Sequence, residues 1–236
     1  MSLGFHKILD CIKENKPNYK EKVCYDLFSW KELETLINIR PLTNVDRFHT
    51  TADHNNIRWQ SSPWVSDHKS IPADCIKPVI EQGVCWISDM SRANKNINTV
   101  CNYLEIQNEA AVDAHIYFDL HKGEKNTSLN KHWDRSDNII VQVAGQTNFK
   151  IWDVYLYEGE RQVITDKKPM LDIILNEGDV IYIPKNIVHQ ATSISKRLSI
   201  SFPMSKDVDD PPQTRKRINI CYLLGMKILL EIHKIK

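Results

Sequence analysis

A surplus of charge of either sign is missing from this chain: 31 Lys+Arg stand against 30 Asp+Glu in 236 residues. That balance argues against a nucleic-acid binder working by bulk positive charge, and against an acidic, solvating tail. Paired-cysteine signatures are missing too. Cys11, Cys24, Cys75, Cys85, Cys101 and Cys221 are scattered, with no CxxC. Reduced thiols and a cytoplasmic setting are therefore expected, not a disulfide scaffold. The opening MSLGFHKILDCIKENK has no apolar run behind a basic start, so no secretory leader is expected. Long uncharged apolar runs are lacking. The nearest to one, TRKRINICYLLGMKILLEIHKIK, carries Asn219, Lys227 and Glu231, too much charge for a membrane span. It reads as a helix with more apolar surface than one face can bury, packed on the core or on its equivalent in a homodimer. No internal repeat or low-complexity linker divides the chain.

Three zones are present. Residues 1–112 read as a helical and irregular lead-in packed on a β-rich core. In FSWKELETLI, Ser29 and Glu32 form a capping box and Phe28 can staple onto Leu33, which predicts a helix start. In INTVCNYLEI, Ile97, Val100, Cys101 and Leu104 recur at helical spacing. Residues 41–75, with Trp59 and Trp64, show little periodicity and read as ordered loop wrapped on a sheet. Residues 113–204 change character: DAHIYFDL, NIIVQVAG, NFKIWDVY, LDIIL, DVIYIP and RLSISF are short β-rich runs separated by turn residues. That is the pattern of a sandwich or barrel core. Residues 205–236 form the apolar tail. The class is mainly β with flanking helices.

The candidate chemistry lies in the middle zone. NKHWDRSDNIIVQVAG places His132 and Asp134 two apart at the entry to a strand. Period-two spacing would aim both side chains the same way. LNEGDVIYIPKNIVHQATS adds His189 after a Gly-Asp turn, an apolar strand and a proline-bounded turn. Two histidines and one carboxylate on facing strands make the facial triad of non-haem Fe(II) oxygenases, which leaves adjacent positions open. An HxD alone is a weak signal; the order HxD, valine-rich strand, then GDxxYxPxxxxH is far more specific. Of the other histidines, His115 and His121 sit close enough upstream to line a pocket. The same ligand set could hold hydrolytic zinc, but the chain offers neither a helix-borne HExxH nor an obvious general base.

HWDRSDNIIVQVAG, GDVIYIPKNIVH and RLSISFPMS, preceded by LFSWKELETLI and VIEQGVCWISDM, resemble the JmjC and cupin-like 2-oxoglutarate oxygenases, above all the compact hydroxylase branch that includes ribosomal oxygenases. The resemblance runs over roughly residues 27–205. It implies a double-stranded β-helix (jelly roll), Fe(II) held by His132, Asp134 and His189, and 2-oxoglutarate and O2 as cosubstrates. It also implies hydroxylation of a protein side chain, an RNA base or a small amino-acid-like molecule. Asn138 and the hydroxyl of Tyr117 are expected near the cosubstrate. One position departs from the family: where a Lys or Arg usually meets the distal carboxylate, this chain has Thr147. Lys150 has the wrong strand parity to replace it. Arg197 shares parity with Ser199 and Ser201 on the closing strand and is the expected substitute. Thr147 also keeps open an alternative, a metal-binding cupin that senses or binds a small ligand without oxidising 2-oxoglutarate.

Overall fold

The computed structural model describes Leu9, Ile12 and residues 15–39, 42–43, 47–51, 58, 60–61, 69–120, 130–156 and 167–206. The apolar tail, Trp59, Trp64 and His121 lie outside the described residues, as does the homodimer expectation that rests on the tail.

Strands β1 (Asn18–Lys20), β3 (Phe48–Thr50), β6 (Cys85–Ile87), β7 (Ala111–Val112), β8 (His115–Asp119), β9 (Asp137–Ala144), β12 (Val180–Ile183) and β14 (Arg197–Ser205) form one antiparallel sheet. Its order is β1-β12-β9-β14-β8-β6-β3, with β7 also paired to β14. A second sheet runs β11-β10-β13, from Leu171–Leu175, Thr147–Tyr155 and Ile187–Ser193. A small third sheet, β2-β5-β4 (Leu42–Thr43, Lys69–Ile71, Gln60–Ser61), lies within the stretch read from sequence as loop. Helices α1 (Trp30–Ile39), α2 (Ala73–Ile80) and α3 (Lys95–Asn108) belong to the lead-in. The two larger sheets make the expected jelly roll. The lead-in is less irregular than its sequence reads, because β1, β3 and β6 extend the main sheet on both sides.

Period-two alternation sorts the main sheet's side chains into two environments. Ile139 and Val141 of β9, Ile116 and Phe118 of β8, and Leu198, Ile200 and Phe202 of β14 join the larger core. Leu33 of α1, Val79 of α2, and Ile97, Val100, Cys101 and Leu104 of α3 belong to that same core. The opposite face holds a smaller cluster in which Ile140, Ile181 and Ile183 meet Phe149, Ile151, Leu175 and Ile187 of the second sheet. Beside it on β8, β9 and β14 come buried polar residues: Asp119, Asn138, Gln142, Arg197, Ser199 and Ser201. The interior of the roll is thus apolar in one part and polar in the other.

The starts of α1 and α3 are locally determined, the first as the capping box predicts. Ser29 Oγ donates to Glu32 Oε2 at 2.7 Å and accepts from Glu32 N at 3.2 Å, while Phe28 and Leu33 are both buried in the core. Asn94 caps α3, its Oδ1 accepting from Ile97 N at 2.7 Å. Among the described residues no helix is long and apolar enough to cross a membrane.

Gly145 turns β9 into β10 with φ +70, and a Cβ there would overlap the carbonyl oxygen of Lys196. Two costs add, a left-handed backbone and a backbone clash that no side-chain rotation relieves. Gly145→Ala is expected to lower stability by more than about 2 kcal/mol, read as a lower urea midpoint at unchanged slope. An unchanged midpoint would refute this account of the turn.

Candidate metal centre

His132 and His189 face each other across an isolated antiparallel bridge. His132 N donates to His189 O at 3.0 Å and His189 N to His132 O at 2.8 Å. This doubly bonded pairing fixes both side chains on one side, with ring centroids 4.3 Å apart. The bridge precedes β9. His132 and Asp134 therefore converge from the segment leading into the strand, not from the strand itself. Asp134 is held by its own carbonyl, which accepts from Asn186 N at 2.7 Å. Asn186 sits at φ 67 in the turn between β12 and β13, so the turn that delivers His189 also locates Asp134.

Ligand atoms of His132, Asp134 and His189 all lie within 4.8 Å of one another. His132 Nε2 is 3.9 Å from Asp134 Oδ1, and His189 Nε2 is 3.5 Å from Asp134 Oδ2. Each imidazole has its Nδ1 against a carbonyl, Asn130 O at 2.8 Å for His132 and Ile187 O at 3.0 Å for His189. A carbonyl can only accept, so each Nδ1 carries a proton, and in the neutral ring each Nε2 presents its lone pair on the side of the carboxylate. Burial holds His189 below the ordinary imidazole pKa, the nearby His132 pushes it down further, and Asp134 partly offsets both. The ring is therefore a neutral ligand at neutral pH. His132 and Asp134 keep 28% and 34% side-chain exposure while His189 keeps 4%. The three groups fit a divalent ion, with two of them partly exposed and the third buried.

Asn138 continues inward from Asp134. Its Nδ2 lies 3.5 Å from Asp134 Oδ2, and Ser201 Oγ donates to its Oδ1 at 2.7 Å. The serine fixes which end of the amide faces the carboxylate. Tyr117 is half-buried, and its ring stacks on Trp86 at 5.7 Å, which stacks in turn on His49 at 5.0 Å. Burial raises the Tyr117 pKa above the phenol range, with Asp134 adding to the rise and Arg197 opposing it. The phenol thus lies within electrostatic reach of both the ligand cluster and the guanidinium.

Arg197 is 2% exposed. Its Nε donates to Ser193 Oγ at 2.7 Å and its Nη1 to Ser199 Oγ at 2.9 Å. Burial brings its pKa down to about 10, with Asp119 and Tyr117 working the other way; it stays charged at neutral pH. Thr147 is fully buried opposite Ser193, and its hydroxyl donates to Gln142 Oε1 at 2.9 Å. Lys150 points outward to Asp172 at 3.6 Å, as its parity requires. His115 lies on β8 with its Nε2 3.3 Å from Asp113. Sequence reasoning missed Ser193, Gln142 and Asp119. Strand parity carries a signal for each, since Ser193 shares a face with His189, Gln142 with Asn138, and Asp119 with Tyr117.

An antiparallel jelly roll with a two-histidine, one-carboxylate cluster at its open end defines a class of metal-binding barrel. The JmjC domain family matches residues 90–208, and the chain belongs to that family. It is 21% identical over 201 residues to the bifunctional lysine-specific demethylase and histidyl-hydroxylase NO66 of Drosophila grimshawi, a match covering 82% of this chain and 26% of that protein. The Dictyostelium discoideum NO66 is 26% identical over 123 residues, covering 48% of this chain and 23% of that one. The chain spans about a quarter of the length of these relatives. Among solved structures, the ribosomal oxygenase YcfD of Escherichia coli, in complex with cobalt and 2-oxoglutarate, superposes with a TM-score of 0.58 at 17% identity. That match covers 96% of this chain and 57% of YcfD, and it bears on the fold.

Proposed function

We propose that this protein is an Fe(II)- and 2-oxoglutarate-dependent oxygenase that hydroxylates a protein side chain. One observation carries the reading: His132, Asp134 and His189 present convergent ligand atoms, with both Nε2 lone pairs freed by Nδ1 bonds to carbonyls, at the open end of a roll that buries a guanidinium deeper in. Iron bound there supplies oxygen activation: one oxygen atom of O2 converts 2-oxoglutarate to succinate and CO2, and the other enters a substrate C–H bond. The chain's own residues do the rest. Asn138, oriented by Ser201, steadies Asp134. Arg197, with Ser193 and Ser199, offers the cosubstrate's distal carboxylate a charged donor. Thr147 occupies the family's usual anchor position, and Tyr117 lines the space between. A protein substrate is supported by what the names of NO66 and the ribosomal oxygenase say of those proteins. The mostly buried thiols of Cys24, Cys75, Cys85 and Cys101 support a reducing, cytoplasmic setting.

Thr147 favours a second reading, a metal-binding module that does not turn over 2-oxoglutarate. Aerobic incubation with Fe(II) and 2-oxoglutarate separates the two. Slow succinate release without substrate, faster with a protein extract in which a peptide gains one oxygen atom, is the expected result. Succinate at the level of a metal-free blank favours the second reading.

A further inference from the structure

Arg197, whose role as the 2-oxoglutarate anchor is the premise here, has a carboxylate for a neighbour. Asp119 of β8 is the direct cross-strand partner of Arg197 of β14, and such partners share a face with Cβ atoms about 5 Å apart. Asp119 is 1% exposed, and its charge favours the protonated guanidinium against the opposing effect of burial. The nearby interior residues Gln142, Thr147, Ser193 and Ser199 are neutral and buried. With Asp119 ionised, the fixed charge of this group is zero before a dicarboxylate enters, and an incoming carboxylate must share Arg197 with one already there. In a buried environment two carboxylates on one cation repel through weak screening.

We propose that Asp119 tempers the cosubstrate site: it competes with the distal carboxylate of 2-oxoglutarate for Arg197, holding affinity low enough for occupancy to follow the 2-oxoglutarate concentration. Asp119 acts through Arg197 and is a specificity-determining residue, not a catalytic one. Its effect selects on the tail of the oxo acid. A neutral tail does not feel it; an anionic tail does.

The test is anaerobic calorimetric titration of 2-oxoglutarate, and of its 5-methyl ester, into Mn(II)-loaded wild type, Asp119→Asn, Asp119→Ser and Asp119→Glu. Both neutral variants are expected to bind 2-oxoglutarate tighter by on the order of tenfold to a hundredfold, the scale of one like charge removed from a partly screened site. The ester should bind all four proteins alike, and Asp119→Glu should match wild type. A second readout guards against a weakened fold: without ligand the neutral variants should melt lower, since an uncompensated guanidinium is left buried, and 2-oxoglutarate should raise their midpoints more than that of wild type. Equal or weaker binding in the neutral variants, with wild type still binding 2-oxoglutarate, overturns the tempering role and leaves the oxygenase reading intact. Binding of Mn(II) but of no 2-oxoglutarate by any of the four overturns both.

Discussion

Asp134→Ala is expected to lose Mn(II) or Fe(II) affinity by more than about a hundredfold while the metal-free protein melts close to wild type. The loss exceeds the roughly tenfold to hundredfold typical of removing a group that merely supports a ligand, because the substitution removes the one anionic donor of the three. The small effect on the metal-free fold comes from the backbone bond that holds the residue in place. Asp134 is tied down through its carbonyl, which takes the hydrogen bond from Asn186 N, and alanine keeps that carbonyl. Its side chain is 34% exposed, so truncation opens no closed cavity. Linkage adds a clear signature: metal at a hundred times its dissociation constant stabilises wild type by about 2.7 kcal/mol, and the same concentration leaves the variant's midpoint nearly unmoved. His132→Ala should behave alike. Manganese resonance titration read beside thermal unfolding separates loss of binding from loss of fold. Full occupancy in both variants would remove these residues from the ligand set.

The central strands and the paired-ligand pattern were legible because each leaves a long or rigid mark. Strand β14 alternates Arg197, Ser199 and Ser201 against Leu198, Ile200 and Phe202, and that alternation within a nine-residue strand shows two faces without any structure. The HxD segment and the later histidine likewise read as a set, since ligand types at such spacing have few other uses. Strands β1, β3 and β6 were not legible. Each is three residues long, too short for a period of two to declare itself, and each exists because the main sheet offers it a partner. The convergence of His132 and Asp134 was anticipated on the wrong backbone: the sequence reads as a strand, while the chain brings them in through a single bridge to His189 and a bond to the Asn186 turn. Ser193 and Asp119 stayed hidden for a different reason. Serine and aspartate are ordinary residues, and only the turn from β13 into β14 and the register of β14 against β8 set them around Arg197.

Arg197→Ala is expected to weaken 2-oxoglutarate binding by on the order of tenfold to a hundredfold with metal affinity unchanged. A dicarboxylate inside the roll leaves its distal charge out of water, and an unmet buried charge costs several kcal/mol. Some donor must meet it. Thr147 sits where the family's usual cation would stand, but its proton already goes to Gln142 Oε1, and a neutral hydroxyl bond is about half as strong as a charge-assisted one. Arg197 is buried, remains protonated with its pKa brought down only to about 10, and is steered by Ser193 and Ser199. Losing one charged hydrogen bond costs roughly 1.5 to 3 kcal/mol, which converts to that tenfold to hundredfold range of affinity. Metal affinity should hold, because the guanidinium is braced by two serines, Ser193 and Ser199, and neither is a ligand residue. Introducing Thr147→Lys into the Arg197→Ala protein should restore part of the affinity, since residue 147 faces the same interior as Ser193, its partner across β10 and β13. Lysine brings charge without the guanidinium's fork, so the rescue should be incomplete. Calorimetry under anaerobic Mn(II) reads all three proteins. Equal 2-oxoglutarate affinity in wild type and Arg197→Ala would show that the anchor lies elsewhere, and a double variant no better than the single one would show that position 147 does not reach the cosubstrate.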